Sequence, residues 1–260
     1  MKPRVEIAER RGQVAGLEVV WRQAGDAPIL YLHGVPTAGW DWEPFLARTG
    51  GVAPDLPGFG RSAKPVDFDY TIAGYDRFLE AFCAETGLDR LTLVMHDWGA
   101  VGLVLAQRLP ERIDRLVLTA CVPLMPGYRW HRVARAWRTP VIGELTMGFT
   151  SRRGFRRELP PEIADRAYDD FDHGTQRAIL KLYRSGSPEA LARAGETLAE
   201  LRGPALVAWP TRDPYIGAEF GPRYAEALGG DVELEAIDAG HWPWLERPEL
   251  IDRIAAFLAH

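Results

Sequence analysis

The sequence predicts an α/β protein, a mostly parallel sheet of eight strands with helices on both faces and a helical cap inserted in its second half. Three observations predict it. Short apolar runs recur along the chain, helical periodicities lie between them, and this alternation stops between Cys121 and about Leu201 before it resumes. Strands alternating with helices are the signature of a parallel sheet covered on both sides.

Taken in order, Val5 to Glu9 and Leu17 to Arg22 alternate in the way of a hairpin or two outer strands, with Gly12 and Gly16 supplying turn chemistry. Pro28 to Leu32 is a short apolar run suited to a strand buried on both faces. After it come a loop at His33-Gly34-Val35-Pro36, a short helix over Trp42 to Ala47, a strand ending near Asp55 and a glycine-rich turn at Pro57-Gly58-Phe59-Gly60. From Thr71 to Thr86 the apolar residues Ile72, Tyr75, Phe78, Leu79 and Phe82 recur at helical spacing, and Gly87 is the expected stop. Leu91 to Met95, Ile113 to Ala120, Ala205 to Trp209 and Val232 to Ile237 complete the strands, and a helix is expected over Ala100 to Leu109. The Arg-, Trp- and Tyr-rich stretch from Cys121 to about Leu201 contains helical patches such as Ala178 to Tyr183 and no convincing strand. Residues 1–122 and 202–260 are therefore assigned to a core domain and 123–201 to the cap.

The 260 residues are 47% hydrophobic and 26% charged with a net charge of -5, enough material for one large core and a weak argument against polyanionic partners. The one basic cluster, Arg152-Arg153-Gly154-Phe155-Arg156-Arg157, reads as a solvated face, because no nucleic-acid-binding pattern accompanies it. No apolar leader or membrane-length run is present, so the expectation is a cytoplasmic protein with no membrane partner. Cys83 and Cys121 read as buried free thiols. The six histidines show no paired metal spacing and no phosphate-cradling glycine loop is visible, so neither metal nor cofactor is expected.

The chemistry centres on Met95-His96-Asp97-Trp98-Gly99, between a strand and a helix. There a carboxylate stands where many hydrolases carry a serine. A serine displacing a leaving group from saturated carbon would end as an inert ether; an aspartate ends as an ester, which activated water can cleave. The strand-to-helix turn is an elbow that exposes the nucleophile and aims the next N–H, that of Trp98, into the site. His33-Gly34-Val35-Pro36 follows a buried strand, from which the Val35 N–H could complete an oxyanion hole. His241, after the last strand, suits a base for the hydrolytic water. Asp213 suits the acid that orients it, with Asp238 as the rival, closer in sequence and better fitted to shaping the turn. An N-cap role for Asp97 and a turn-forming role for Gly34 and Pro36 are the structural alternatives.

Together His33-Gly34-Val35-Pro36, the run Pro54-Asp55-Leu56-Pro57-Gly58-Phe59-Gly60-Arg61-Ser62, His96-Asp97-Trp98-Gly99 and Gly240-His241 resemble the aspartate-nucleophile α/β-hydrolases, namely epoxide hydrolases and haloalkane dehalogenases. The resemblance covers the chain outside the cap. It implies the α/β-hydrolase fold and a covalent aspartyl ester on Asp97.

The two branches differ in what receives the leaving group. An epoxide leaves as an alkoxide, for which the resemblance implies cap tyrosines; Tyr183, in a Tyr-Arg pair shortly before the acid, matches one, and Tyr128 and Tyr168 are candidates for a second. A halide wants N–H donors, and Trp98 is one, with Trp130 or Trp137 of the cap as the other, since Val35 has no side-chain N–H. Met95 is bulkier than the glycine that epoxide hydrolases commonly carry there. The favoured expectation is an epoxide hydrolase forming a vicinal diol, with haloalkane dehalogenase as the alternative and a non-catalytic ligand-binding scaffold as a remote one. The expected catalytic residues are Asp97, Asp213, His241 and Tyr183, with Val35 and Trp98 in the oxyanion hole and His33, Tyr128, Trp130, Trp137 and Trp242 in the substrate pocket. Trp40, Trp42, Phe59 and Trp244 are further aromatics beside the motifs, so the expected partner is a small hydrophobic substrate, with a homodimer left open.

Overall fold

Ala15 and Gly16, both at positive φ (49° and 79°), reverse the chain between strands β1 (Ala8–Val14) and β2 (Leu17–Ala24). A two-residue turn of that handedness matches the twist of the antiparallel pair it joins. The structure, a computed structural model, describes residues 6–259, so Val5, where the first expected run begins, lies outside them. Gly12 does not turn the chain as expected; it pairs with Val19 inside the ladder, where a Cβ would stand 3.0 Å from the Trp21 ring.

Among the described residues eight strands form one sheet: β1, β2, β3 (Ile29–Leu32), β4 (Gly51–Pro54), β5 (Leu91–His96), β6 (Ile113–Thr119), β7 (Ala205–Pro210) and β8 (Val232–Ile237). Their spatial order is β1-β2-β4-β3-β5-β6-β7-β8, antiparallel from β1 to β4 and parallel from β4 to β8. This is the expected mostly parallel sheet.

The central strands are mostly apolar because both of their faces are covered. Leu30, Leu32, Leu93 and Met95 pack to one side with Tyr75, Phe78, Leu79 and Phe82 of helix α2 (Ile72–Thr86). Tyr31 and Val94 point the other way, into a cluster with Phe45 and Leu46 of α1 (Glu43–Thr49) and Leu250 and Ile254 of the last helix. Each fully buried Leu or Val contributes about 1.5–3 kcal/mol of hydrophobic stabilisation. Helix α2 begins where Thr71 accepts from the Gly74 N–H at 3.1 Å and ends at Gly87, φ 71°, as its pattern predicts.

The helix expected over Ala100 to Leu109 opens as a 3₁₀ turn, Asp97–Val101, and continues as α3 (Gly102–Arg108). The inserted segment carries α4 (Arg132–Arg138), α5 (Ile142–Gly148), α6 (Arg152–Glu158), α7 (Pro161–Asp169), α8 (His173–Ser185) and α9 (Pro188–Ala194), with no strand among its described residues. After β7 come α10 (Phe220–Ala227), α11 (Pro243–Glu246) and α12 (Glu249–Leu258). Cys83 and Cys121 are buried and free.

This topology positions a site. From β3 the chain moves outward to β4 and then crosses back to β5 on the other side of β3. At such a reversal the loops leaving the carboxyl ends of the two strands diverge and open a crevice. Those loops carry Val35 and Asp97.

Candidate active site

Asp97 sits at the end of β5 with φ 50°, a left-handed conformation unusual for a residue with a side chain. Its turn is held from both sides: the Asp97 N–H donates to the Ala120 carbonyl at 3.1 Å, and the Val122 N–H donates to the Asp97 carbonyl at 2.9 Å. Close packing demands glycine around it. A Cβ on Gly99 would stand 2.8 Å from the Leu32 carbonyl carbon and nearer its oxygen, while one on Gly102 would lie 3.1 Å from Met95 Sδ. Gly102 thus gives Met95 its room.

The Asp97 carboxylate is buried, and its two oxygens have different surroundings. Oδ1 accepts the Val35 N–H at 2.8 Å, whereas Oδ2 lies 3.8 Å from His241 Nε2. Burial pushes the Asp97 carboxyl above its ordinary range, against the pull of His241 and of the Val35 and Trp98 N–H groups. His241 Nδ1 contacts Asp213 Oδ2 at 2.6 Å, and Asp213 Oδ1 accepts the N–H groups of Tyr215 and Ile216 at 2.7 and 3.1 Å. Burial alone would lower His241, but the carboxylates of Asp213 and Asp97 outweigh it and hold the imidazole above its ordinary value. Asp238 points outward and pairs with Arg212 at 2.7 Å. The chain therefore brings Asp97, His241 and Asp213 together, with Val35 and Trp98 flanking the Asp97 carboxylate.

A cavity of about 270 Å³ opens on Asp97 and His241, walled by Trp137 of α4, Tyr183 of α8, Val35 and Trp242. Three expected pocket residues do not reach it. His33 lies behind the crevice, its Nδ1 against the Gly34 carbonyl at 2.8 Å and its Nε2 accepting the Leu56 N–H at 3.0 Å; burial lowers it to about 4, so it stays neutral. Trp130 stacks on Trp98 at 5.4 Å and spends its indole N–H on the Gly186 carbonyl at 2.8 Å. Tyr128 packs between Trp130 and Phe220 with its hydroxyl buried and unpaired. Tyr168 lies outside the cavity wall, against Phe155 and under Arg152.

Of the other aromatics beside the motifs, Trp42 and Trp244 stack on each other at 5.3 Å, Phe59 packs edge-on to His33, and Trp40 lies under Arg166. They are scaffold. So is Asp55, whose carboxylate accepts from Arg22, Gly39 N–H and Arg61 N–H and ties the glycine-rich turn to β2.

The Alpha/beta hydrolase family model matches residues 29–253. The chain belongs to the alpha/beta hydrolase family. Curated relatives of this hydrolase include proteins named haloalkane dehalogenase from Agrobacterium fabrum, 38% identical over 92% of this chain and 87% of the relative, and from Bradyrhizobium diazoefficiens, 31% identical over 88% and 86%. Among solved structures, a putative ancestral haloalkane dehalogenase is 27% identical with a TM-score of 0.81, covering 96% of this chain and 98% of its own. The relatives carry the dehalogenase name, so the expectation of epoxide opening gives way to the reading placed second.

Sequence reasoning missed several wall residues of the hydrolase cavity: His131, Thr146, Phe149 and Phe155 of the cap, and Tyr215. Tyr215 follows Asp213 by two residues and His131 follows Trp130 directly, so the sequence placed them near expected site residues; Thr146, Phe149 and Phe155 lie far from any motif and only packing brings them to the cavity. Among the described residues no cluster suited to a metal occurs, and no helix is long and apolar enough to cross a membrane.

Proposed function

We propose that this hydrolase is a haloalkane dehalogenase. What carries the reading is that relatives of that name match along about nine-tenths of the chain. The chemistry of the site agrees. Asp97 Oδ2, on the His241 side, attacks the halogen-bearing carbon while Oδ1 rests on the Val35 N–H. The leaving halide needs N–H or O–H donors, and the Trp98 indole N–H beside the nucleophile is buried with no partner. Tyr183, edge-on to Trp98 at 5.2 Å, lines the cavity, and burial and the Asp97 charge hold its phenol well above the ordinary value, so it remains a donor. Trp137, edge-on to Tyr183 at 5.0 Å, is with Trp242 one of the indoles on the cavity wall.

In the second step His241 Nε2 takes a proton from water, the hydroxide attacks Cγ of Asp97, and the tetrahedral oxyanion at Oδ1 is met by the Val35 and Trp98 N–H groups. Asp213 stabilises the imidazolium that results. The tetrahedral intermediate collapses, the alkoxide leaves with a proton as an alcohol, the Asp97 carboxylate is regenerated, and the imidazolium gives its remaining proton to solvent. The cavity's apolar walls suit a short hydrophobic halide.

Epoxide opening is the second reading, supported by the Tyr183 phenol on the cavity wall. Incubation with 1-bromobutane and with styrene oxide separates the two: bromide release without diol supports the dehalogenase, diol without bromide supports the epoxide reading, and silence across a broad panel of both classes favours a binding scaffold.

A further inference from the structure

One buried carboxylate takes no part in the chemistry above. Asp41 lies in the 3₁₀ turn Gly39–Trp42 after β3, only 4% exposed. Its Oδ2 accepts the Thr37 hydroxyl at 3.0 Å and the Trp242 indole N–H at 3.2 Å. Thr37 belongs to the loop that carries Gly34 and Val35, and its hydroxyl also lies 3.3 Å from the Gly34 carbonyl. Trp242 is the neighbour of His241, packs edge-on to the imidazole at 4.7 Å and walls the cavity. Asp41 therefore joins the loop that holds the nucleophile to the loop that holds the base.

A carboxylate is costly to bury and an amide would accept the same two hydrogen bonds, so anchoring alone does not explain the charge. We infer that Asp41 is a positioning residue for the base: it clamps Trp242 against the Val35 loop and adds a negative charge near the His241 imidazole, beyond those of Asp213 and Asp97. The inference rests on His241 being the base of the proposed reaction. Around His241 stand Asp213, Asp97 and Asp41, with the neutral rings of His96 and His131 nearby. Around Asp41 stand His241 and, from the cap, Arg166. Burial lifts Asp41 to about 7, so its charge is present mainly above neutrality, and the carboxyl and imidazole titrate as a coupled pair.

The test reads the imidazole directly and needs no substrate. The His241 ring proton is followed by NMR through a pH titration, its resonance assigned by its loss in His241→Gln. In Asp41→Asn, which keeps the acceptor, the midpoint is expected to fall by about one pH unit. The inflection near neutrality contributed by Asp41 is expected to vanish. A folded Asp41→Asn with an unchanged His241 titration would overturn the proposal. Should that variant fail to fold, Thr37→Val removes one donor to Asp41 and is expected to move His241 in the same direction by less; no movement there overturns it equally. If the wild type releases no halide, the dehalogenase reading fails while the NMR result still decides the role of Asp41.

Discussion

A methyl group on Gly34 would stand 2.7 Å from Cγ of Asp97 and nearer still to its Cβ and Oδ1. The Asp97 carboxylate thus lies against bare backbone, and the same close approach lets the next residue, Val35, donate its N–H to Oδ1 at 2.8 Å. Gly34→Ala is expected to push the carboxylate off that donor and lower kcat by about 10²-fold, as for loss of one oxyanion donor with misplacement of the nucleophile. Halide-release kinetics beside a melting curve check this. A variant that keeps both its fold and its full rate would remove Val35 from the oxyanion role.

The 3.8 Å between His241 Nε2 and Asp97 Oδ2 is too long for a direct hydrogen bond and leaves the imidazole free to act on water. His241→Gln is expected to form the ester and stop, so that intact-protein mass spectrometry finds the alkyl group on Asp97. In the wild type the two half-reactions should separate with pH. His241 is raised above its ordinary value and must be neutral to act, so ester hydrolysis is lost as pH falls through that raised value. Attack by Asp97 draws no proton from water and is lost only as pH falls through the raised value of its own carboxyl. Acid quenching on the acid limb should show ester accumulating, and its absence would place the slow step elsewhere.

Trp98 and Tyr183 lie edge-on at 5.2 Å beside the nucleophile, and they offer different donors. Trp98→Phe removes the unpartnered N–H, and halide release is expected to slow by about 10–100-fold, the loss of one charge-assisted hydrogen bond. Tyr183→Phe is expected to affect halide release less and to abolish any epoxide opening. Equal sensitivity of both reactions to Tyr183→Phe would mean that the phenol serves either leaving group.

Asp97 combines a buried charge with φ 50°. Because burial raises its folded value above the unfolded one, the folded state holds its proton longer, and stability falls as pH climbs from the ordinary carboxylate range through the raised value. Asn tolerates the left-handed region and carries no charge. Asp97→Asn should therefore melt higher than the wild type at pH 8, each kcal/mol amounting to about 2–4 °C in a chain of this size, with the gap shrinking toward pH 4. Calorimetry at the two pH values checks it; a lower melting temperature at pH 8 would contradict this account of the strain and charge.

Much of this protein is written in short-range pattern. Apolar runs such as Leu91 to Met95, the helical spacing from Ile72 to Phe82 and the Thr71 and Gly87 caps are consequences of backbone geometry within a few residues, so they give strand, helix and boundary directly. The carboxylate at Asp97, in an elbow between strand and helix, is likewise a local feature, and the proposed bond type follows from it. Packing over long separations decided the rest. It set Asp213 rather than Asp238 against His241 and spent the Trp130 N–H on Gly186. It also withdrew His33 and Tyr128 behind the cavity and placed Asp41, 201 residues away in the chain, under Trp242. Partners so far apart share no periodicity and no turn, and only the folded chain, by reversing between β3 and β5 and packing the helices between β6 and β7 over the crevice, determines which of several equally plausible side chains meets Asp97.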